Sequence, residues 1–336
     1  MRPGACSSTP RASSPRRGTR CWPRSCAAAP APPRDPTAAR SSVTVAVPGT
    51  SAPAITVVTA SRFRHDTLLR KAEALARQRD PGAFEWRLYL NEPSASVRTF
   101  ADRLATLTPA FAVEIDGGDV LPVGTARNRA AAAARGRIVL FSDDDCMPDP
   151  GAIEAHVAFH ERVPDAAGIG RLRLPEHLRV GSRREPFERT ARLFGDRASW
   201  INFTGANSSV PTAAFRAVGG YDAEWHGYGG EDPELALRLR ALGLRFRHVV
   251  GGDALHEGRV SDDADKAYSA GSAHVRVVRR HPRQGAAWLL GVHPVMIALK
   301  RAWLRSPGGR LVDPAVRAYE LAYADGAAAA WRDGEA

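Results

Sequence analysis

The stretch Arg137-Ile138-Val139-Leu140-Phe141 runs without a break into Ser142-Asp143-Asp144-Asp145-Cys146. Behind Gly136, the apolar and β-branched residues of this run have the pattern of a short buried strand. Three carboxylates stand where that strand ends, and Pro148 and Pro150 force an irregular backbone after them. In an open α/β sheet, ligands bind at the carboxyl ends of strands. Carboxylates this close raise one another's pKa unless a cation compensates them. Hard oxygen donors in this number suit Mg2+ or Mn2+ beside a diphosphate. Taken alone, the same residues also fit a solvated acidic turn.

Phe141 to Asp145 resembles the DxD element of nucleotide-sugar-dependent glycosyltransferases of the GT-A fold, most closely those of glycosyltransferase family 2. Composition is that of a globular chain, and the net charge of +11 is unevenly placed. Residues 1–53 hold eight arginines against a single acid, Asp35, so most of the excess lies there. That segment is rich in Ala, Arg, Pro and Ser without apolar periodicity, which predicts a disordered tail over 1–53. Arg16-Arg17 is followed by no apolar run, so a secretory signal is not expected. The remainder is only mildly basic and predicts no specific nucleic-acid partner. Three of the four cysteines, Cys6, Cys21 and Cys26, sit in the tail. Cys146 cannot pair within the domain and reads as a small apolar filler, which suits a reducing, cytoplasmic setting.

From Ala54 the order is β-α-β. Ile55 to Ala60 is a buried-strand pattern, Asp66 to Arg79 a helix stopped by Asp80-Pro81-Gly82, and Trp86 to Leu90 the next strand. The opening resembles family 2 enzymes, whose second strand usually ends in an acid that reads the nucleoside. Here that place holds Asn91-Glu92. Phe111 to Ile115 predicts a third strand. Gly124-Thr125-Ala126-Arg127-Asn128 opens an alanine-rich helix with Thr125 as a candidate N-cap. This start resembles the Gly-x-x-x-Arg-Asn of family 2, which would set Arg127 near the nucleotide; a surface arginine is the alternative.

Trp200 to Thr204 reads as a strand, followed by Gly205-Ala206-Asn207, a short helix from Pro211, and the turn Gly219-Gly220-Tyr221-Asp222. This run also resembles family 2. Trp225-His226-Gly227-Tyr228-Gly229-Gly230-Glu231-Asp232 is similar to the aromatic-Gly-Gly-Glu-Asp element of galactosyltransferases of this fold. Asp232-Pro233-Glu234 has the chemistry of a helix start, with Asp232 as N-cap and Pro233 in the first turn. Asp232 is therefore a candidate both for capping and for accepting a proton. Trp225 and Tyr228 offer flat apolar faces to a sugar, and Gly230 offers close approach.

Downstream, Ala254-Leu255-His256-Glu257 sets a histidine where GT-A enzymes often supply a metal ligand. From Asp262 the pattern becomes helical, over 267–280, 284–304 and 314–331. The middle segment is too short in apolar residues to span a membrane, and reads as packed on the domain or lying on a membrane surface.

The resemblance implies an α/β protein: a Rossmann-like three-layer GT-A domain with a mostly parallel sheet over 54–260, and a helical C-terminal extension over 261–336. It implies a metal-dependent, inverting transfer of a sugar from a nucleotide-diphosphate sugar, a UDP-sugar first, to a hydroxyl of a glycan, a lipid-linked or a small-molecule acceptor. The implied roles are Asp232 and Glu231 in catalysis, and Thr59, Asn91, Arg127, Asp143 and Asp144 at the donor. Trp225, Tyr228 and Gly230 fall at the acceptor, and Asp143, Asp145 and His256 on Mn2+ or Mg2+. A peripheral contact at the inner membrane surface is compatible with the basic C-terminal helices. The alternatives are a retaining enzyme of the same fold and a non-catalytic carbohydrate- or nucleic-acid-binding protein.

Overall fold

The computed structural model describes residues 41–45, 52–175, 200–258 and 264–334. Strands β1 (Ser41–Val45), β2 (Ile55–Ser61), β3 (Phe84–Leu90), β4 (Ala112–Gly117) and β5 (Ile138–Ser142) form five strands of an eight-stranded sheet. Two others interrupt the chain order as a small second sheet: β6 (Cys146–Pro148) and β8 (Leu172–Arg173) flank β11 (Ala254–His256). β7 (Ala166–Ile169), β9 (Asn207–Pro211) and β10 (Arg245–His248) complete the large sheet in the order β1-β4-β3-β2-β5-β9-β7-β10. β2 to β5 run parallel, β7 and β10 pair in parallel, and β9 is antiparallel to both its neighbours.

The two-residue period of each strand divides the core. Ile55, Val57, Ile138 and Leu140 pack under helices α1 (His65–Ala76), α2 (Ser94–Ala105) and α4 (Ala152–Arg162). Val58, Val139 and Phe141 face the opposite layer, with α3 (Val123–Ala132), α5 (Thr212–Ala217) and α6 (Glu231–Ala241). This is the expected three-layer α/β/α arrangement, and helices follow it at the C-terminus.

Three local expectations are corrected. β1 lies inside the predicted tail: Ser41 to Val45 pairs antiparallel with Gly117 to Val113, and Val43 and Val45 pack against the core. Alternating Val43 and Val45 suffice for an edge strand despite the composition around them. The rest of 1–53, apart from Ala52 and Pro53, lies outside the described residues. Trp200 to Asn202 is a turn of 3-10 helix, not a strand, because Trp200 and Phe203 both turn inward, three residues apart, while Ile201 stays exposed. Thr125 is not a cap: α3 starts at Val123 behind Pro122, which leaves Thr125 within the first turn.

Removing residues 1–40 should leave the sheet whole, whereas removal through Ser51 strips β1 and exposes β4 as an edge. Uncovering two half-buried valines and a five-residue ladder costs roughly 2 kcal/mol. That is a fall in melting temperature of roughly 4–8 °C. Equal melting curves for the two truncations would show that β1 contributes nothing.

The C-terminal helices are α7 (Ala264–Arg280), α8 (Ala286–Leu289), α9 (Pro294–Arg305) and α10 (Pro314–Asp333). The segment predicted as one helix over 284–304 is broken at Gly291, which takes a left-handed φ of +71° while Val292 and His293 both donate to Ala287 O. α7 and α10 cross through glycines. A Cβ on Gly271 would lie 2.0 Å from Tyr323 O, and one on Gly326 would lie 2.0 Å from Tyr268 O. Among the described residues, no helix is long and apolar enough to cross a membrane.

Candidate active site

Most of the residues singled out in the sequence, though not Thr59 or Trp225, meet at one cleft of about 870 Å³ at the carboxyl ends of β2 and β5. Ser61, Arg64, Arg127, Asp143, Asp144, Asp145, Tyr228, Gly230, Glu231, Asp232 and His256 all line it.

The acidic turn is held from beneath by Lys71 of α1. Its buried ammonium donates to Ser142 Oγ (2.7 Å) and to the carbonyls of Asp143 (2.9 Å) and Cys146 (2.6 Å). Burial pushes this ammonium down to about 8. Backbone oxygens turned toward Lys71 leave the carboxylates pointing into the cleft. Asp144 accepts from Ser61 Oγ (2.5 Å) and Arg64 (3.0 Å), and burial raises its pKa. Asp145 also accepts from Arg64, at 2.8 Å. Asp143 accepts from Arg127 at 2.7 Å.

Arg127 is the junction of the site. Its second nitrogen lies 3.3 Å from Asp232 and 3.7 Å from Glu231. Burial opposes its charge, but Asp143 and then Tyr221, Asp232 and Glu231 outweigh that and keep it a cation. Gly205 is what admits it: a Cβ there would lie 2.1 Å from the guanidinium carbon.

Asp232 does not cap its helix. Gly230 holds the N-cap in a left-handed conformation, so Asp232 sits in the first turn with its carboxylate facing the cleft. It accepts from the Tyr221 hydroxyl at 3.0 Å and from Arg127. Burial raises both acids, Glu231 to about 7 with help from Asp232. Arg127 is nearer to Asp232, and Tyr221 donates to Asp232 alone. The two environments thus split the pair: Glu231 takes up the first proton near neutrality and Asp232 stays ionised.

The acceptor expectations fare differently. Tyr228 is 56% exposed at the cleft, with the Lys266 ammonium 5.7 Å from its ring centroid. Trp225 is corrected: it is 3% exposed, its indole donates to Gly229 O at 2.8 Å, and Arg276 covers its ring at 3.9 Å. The aromatic is consumed in building the loop. Gly230 lacks a side chain because Trp225 lies beneath it, 2.5 Å from where a Cβ would stand, and because its φ is +87°. Thr59 is also corrected. It is buried in β2, donating to Ser142 O and accepting from Trp86, and does not reach the cleft. Asn91 lines the cleft, but both ends of its amide are spent on the Leu121 backbone.

The pairing of β11 with β6 sets His256 beside Cys146, and the Glu257 amide donates to Asp145 O. His256 Nε2 comes within 3.6 Å of Asp145 Oδ1, while Nδ1 lies 3.1 Å from Gly258 O. A backbone acceptor on Nδ1 fixes the tautomer that leaves Nε2 open toward the carboxylate, the usual support of a ligating histidine. Gly258 must be small, since its Cβ would fall 2.2 Å from Asp145 Oδ2. Asp145, His256 and the Cys146 sulfur form a group with metal-ligand spacing. Burial raises the Cys146 thiol well above its usual range, so it is a poor ligand beside the other two. A carboxylate with an imidazole fits a divalent cation, Mn2+ better than Mg2+. Asp143 lies outside this group, tied to Arg127. Arg64, half exposed, sets a positive charge against Asp144 and Asp145.

Residues 56–218 match the family model of glycosyl transferase family 2, and residues 185–257 match one described as the N-terminal domain of galactosyltransferase. Validoxylamine A glucosyltransferase of Streptomyces hygroscopicus subsp. limoneus is 27% identical over 283 residues, covering 68% of this chain and 57% of that protein. The chain thus spans little more than half the length of this curated relative. Among solved structures, the mannosyltransferase PcManGT from Pyrobaculum calidifontis, in complex with GDP-Man and Mn2+, aligns with a TM-score of 0.61 and 16% identity, covering 85% of this chain and 89% of that one. GalNAc-T7 with UDP, GalNAc and Mn2+ aligns with a TM-score of 0.55 and 14% identity, over 74% of this chain and 52% of that one.

Proposed function

We propose that this chain, a GT-A glycosyltransferase of the family 2-like kind, moves a sugar from a nucleotide-diphosphate donor to an acceptor hydroxyl with inversion at the anomeric carbon. The observation that carries the reading is Arg127, which joins Asp143 of the strand-end acids to Asp232 across a single cleft. Donor and acceptor machinery thereby share one wall.

In this reading Asp145 and His256 would hold a divalent cation, Mn2+ or Mg2+. When bound, it would neutralise charge developing on the leaving diphosphate. Asp143 and Asp144, fixed by Arg127 and by Ser61 with Arg64, orient the nucleotide portion. Asp232 accepts the proton of the acceptor hydroxyl as its oxygen bonds to the anomeric carbon and the bond to the diphosphate oxygen breaks. Tyr221 keeps Asp232 aimed, and Glu231, protonated near neutrality, donates to a sugar oxygen. Tyr228 presents an apolar ring face to the acceptor. The relatives support a nucleotide-sugar donor: one is a glucosyltransferase, and the neighbours hold GDP-Man and UDP. We take a UDP-sugar first.

Retention is the second reading, since the run Tyr228-Gly229-Gly230-Glu231 resembles the aromatic-Gly-Gly-Glu element of polypeptide N-acetylgalactosaminyltransferases. The test is a screen of NDP-sugars for Mn2+-stimulated turnover, followed by NMR of the product anomer. An α-linked donor should yield a β-linked product. An α product sinks inversion, and no turnover of any NDP-sugar sinks the whole reading.

A further inference from the structure

The face that α9 turns to solvent is apolar from end to end. Pro294, Val295, Ala298, Leu299, Ala302 and Trp303 are all exposed, at the spacing that lines up one stripe. Leu299 is 66% exposed and Trp303 55%. A helix that meets only water carries polar residues there. Its inward face is ordinary, with Ile297 and Leu304 buried. Its charges lie to the side and are tied to α10: Lys300 pairs with Glu320 at 2.7 Å, and Arg301 with Asp325 at 2.7 Å. They do not interrupt the stripe. Trp288 stacks on His293 at the start of α9, ring centroids 3.9 Å apart, and extends the apolar surface to exposed Leu289. Residues 281–325 hold six lysines and arginines against three acids, Asp313, Glu320 and Asp325, and Arg283 and Arg310 are exposed.

We infer that this face docks on an anionic lipid bilayer. Exposed tryptophans beside arginines have the composition of an interfacial helix, with the ring at headgroup level and the exposed Arg283 and Arg310 on phosphates. The net positive charge argues against the other occupants. A second copy, packed face to face about a two-fold axis, would set one basic rim against another. The segment 1–53, with its eight arginines, carries the same sign. A surface of negative headgroups complements both the stripe and its rim. The patch also adjoins the cleft, which Leu290 and Tyr319 help to line. On the glycosyl-transfer reading, this sets one wall of the cleft beside the bilayer, where a lipid-linked acceptor would be presented.

The experiment is flotation of the full chain with phosphatidylcholine vesicles, with and without phosphatidylglycerol. The expected result is binding only when phosphatidylglycerol is present, weakening as salt is raised. The double variant Leu299→Glu, Trp303→Glu should keep its melting curve and lose at least about ten-fold in vesicle affinity. Arg283→Gln and Arg310→Gln should each lose roughly five-fold. Absence of wild-type binding overturns the proposal. Undiminished binding by the double variant would assign the affinity to the arginine-rich 1–53 segment instead. A dimer in light scattering that the double variant abolishes would give the face to a second copy. None of these readouts depends on sugar transfer, so the docking surface and the enzymatic reading stand or fall separately.

Discussion

Asp232→Asn should yield a folded protein that makes almost no product. Asparagine matches aspartate in size and still accepts from Tyr221 and Arg127, but it cannot take up a proton from the acceptor. General-base catalysis contributes about a hundred- to ten-thousand-fold, so turnover at saturating donor and acceptor should fall by that factor. Stability should hardly change, for two reasons. Gly230, not Asp232, occupies the N-cap, so no cap is lost. Arg127 also keeps Asp143 at 2.7 Å, so the buried guanidinium is not left alone. Donor binding, read by nucleotide titration, should stay near wild type. Normal turnover in the variant would shift the proton acceptor to Glu231.

The same pair sets a pH signature. Glu231, pushed up to about 7, protonates first, which in the proposed mechanism leaves Asp232 as the base. Asp232 is itself raised by burial, so its protonation, and the loss of kcat, should begin above the ordinary aspartate range as pH falls. A kcat that stays flat down to the usual aspartate pKa would contradict this assignment.

The second large effect is expected at Asp145. Asp145→Ala removes the carboxylate that His256 faces at 3.6 Å, leaving one imidazole to hold a cation. Turnover should be abolished, and raising Mn2+ should not restore it. The fold should survive, because the lost partner is Arg64, which is 52% exposed and can turn to water. Measuring turnover against Mn2+ concentration in both proteins, with an EDTA control, decides the matter. Undiminished activity in EDTA would remove the cation from the mechanism.

What could be read from the sequence was local. The run from Ile138 into three aspartates needs only adjacency to be recognised, and so does the Gly-Gly-Glu-Asp element; both line the cleft. Roles that depend on orientation were not legible. Trp225 has the right chemistry for a sugar platform, but its indole is turned under Gly230. Asp232 beside Pro233 has the chemistry of a cap, yet the left-handed Gly230 takes that position. Lys71 and Arg64 escaped because their partners lie 71 and 80 residues away in sequence. Lys71 gave a faint signal, a charge on the apolar stripe of α1 between Leu68 and Leu75. Tyr221 stood in a recognised turn, but nothing local says that its hydroxyl reaches Asp232.

The glycine crossing of α7 and α10 bears on how this molecule can change over evolutionary time. A side chain at Gly271 or Gly326 would meet a main-chain carbonyl, not another side chain. A steric conflict between two side chains can be relieved by shrinking one of them, but a carbonyl is present whatever the residue. No second substitution at the crossing restores a lost glycine; only a shift of one whole helix would. α7 carries Ala270 and His274, and α10 carries Tyr319, all three on the cleft wall. The lineage can therefore vary the chemistry of that wall one side chain at a time, His274 only together with the Tyr323 hydroxyl it meets at 2.6 Å, while its spacing stays fixed by two absent methyl groups.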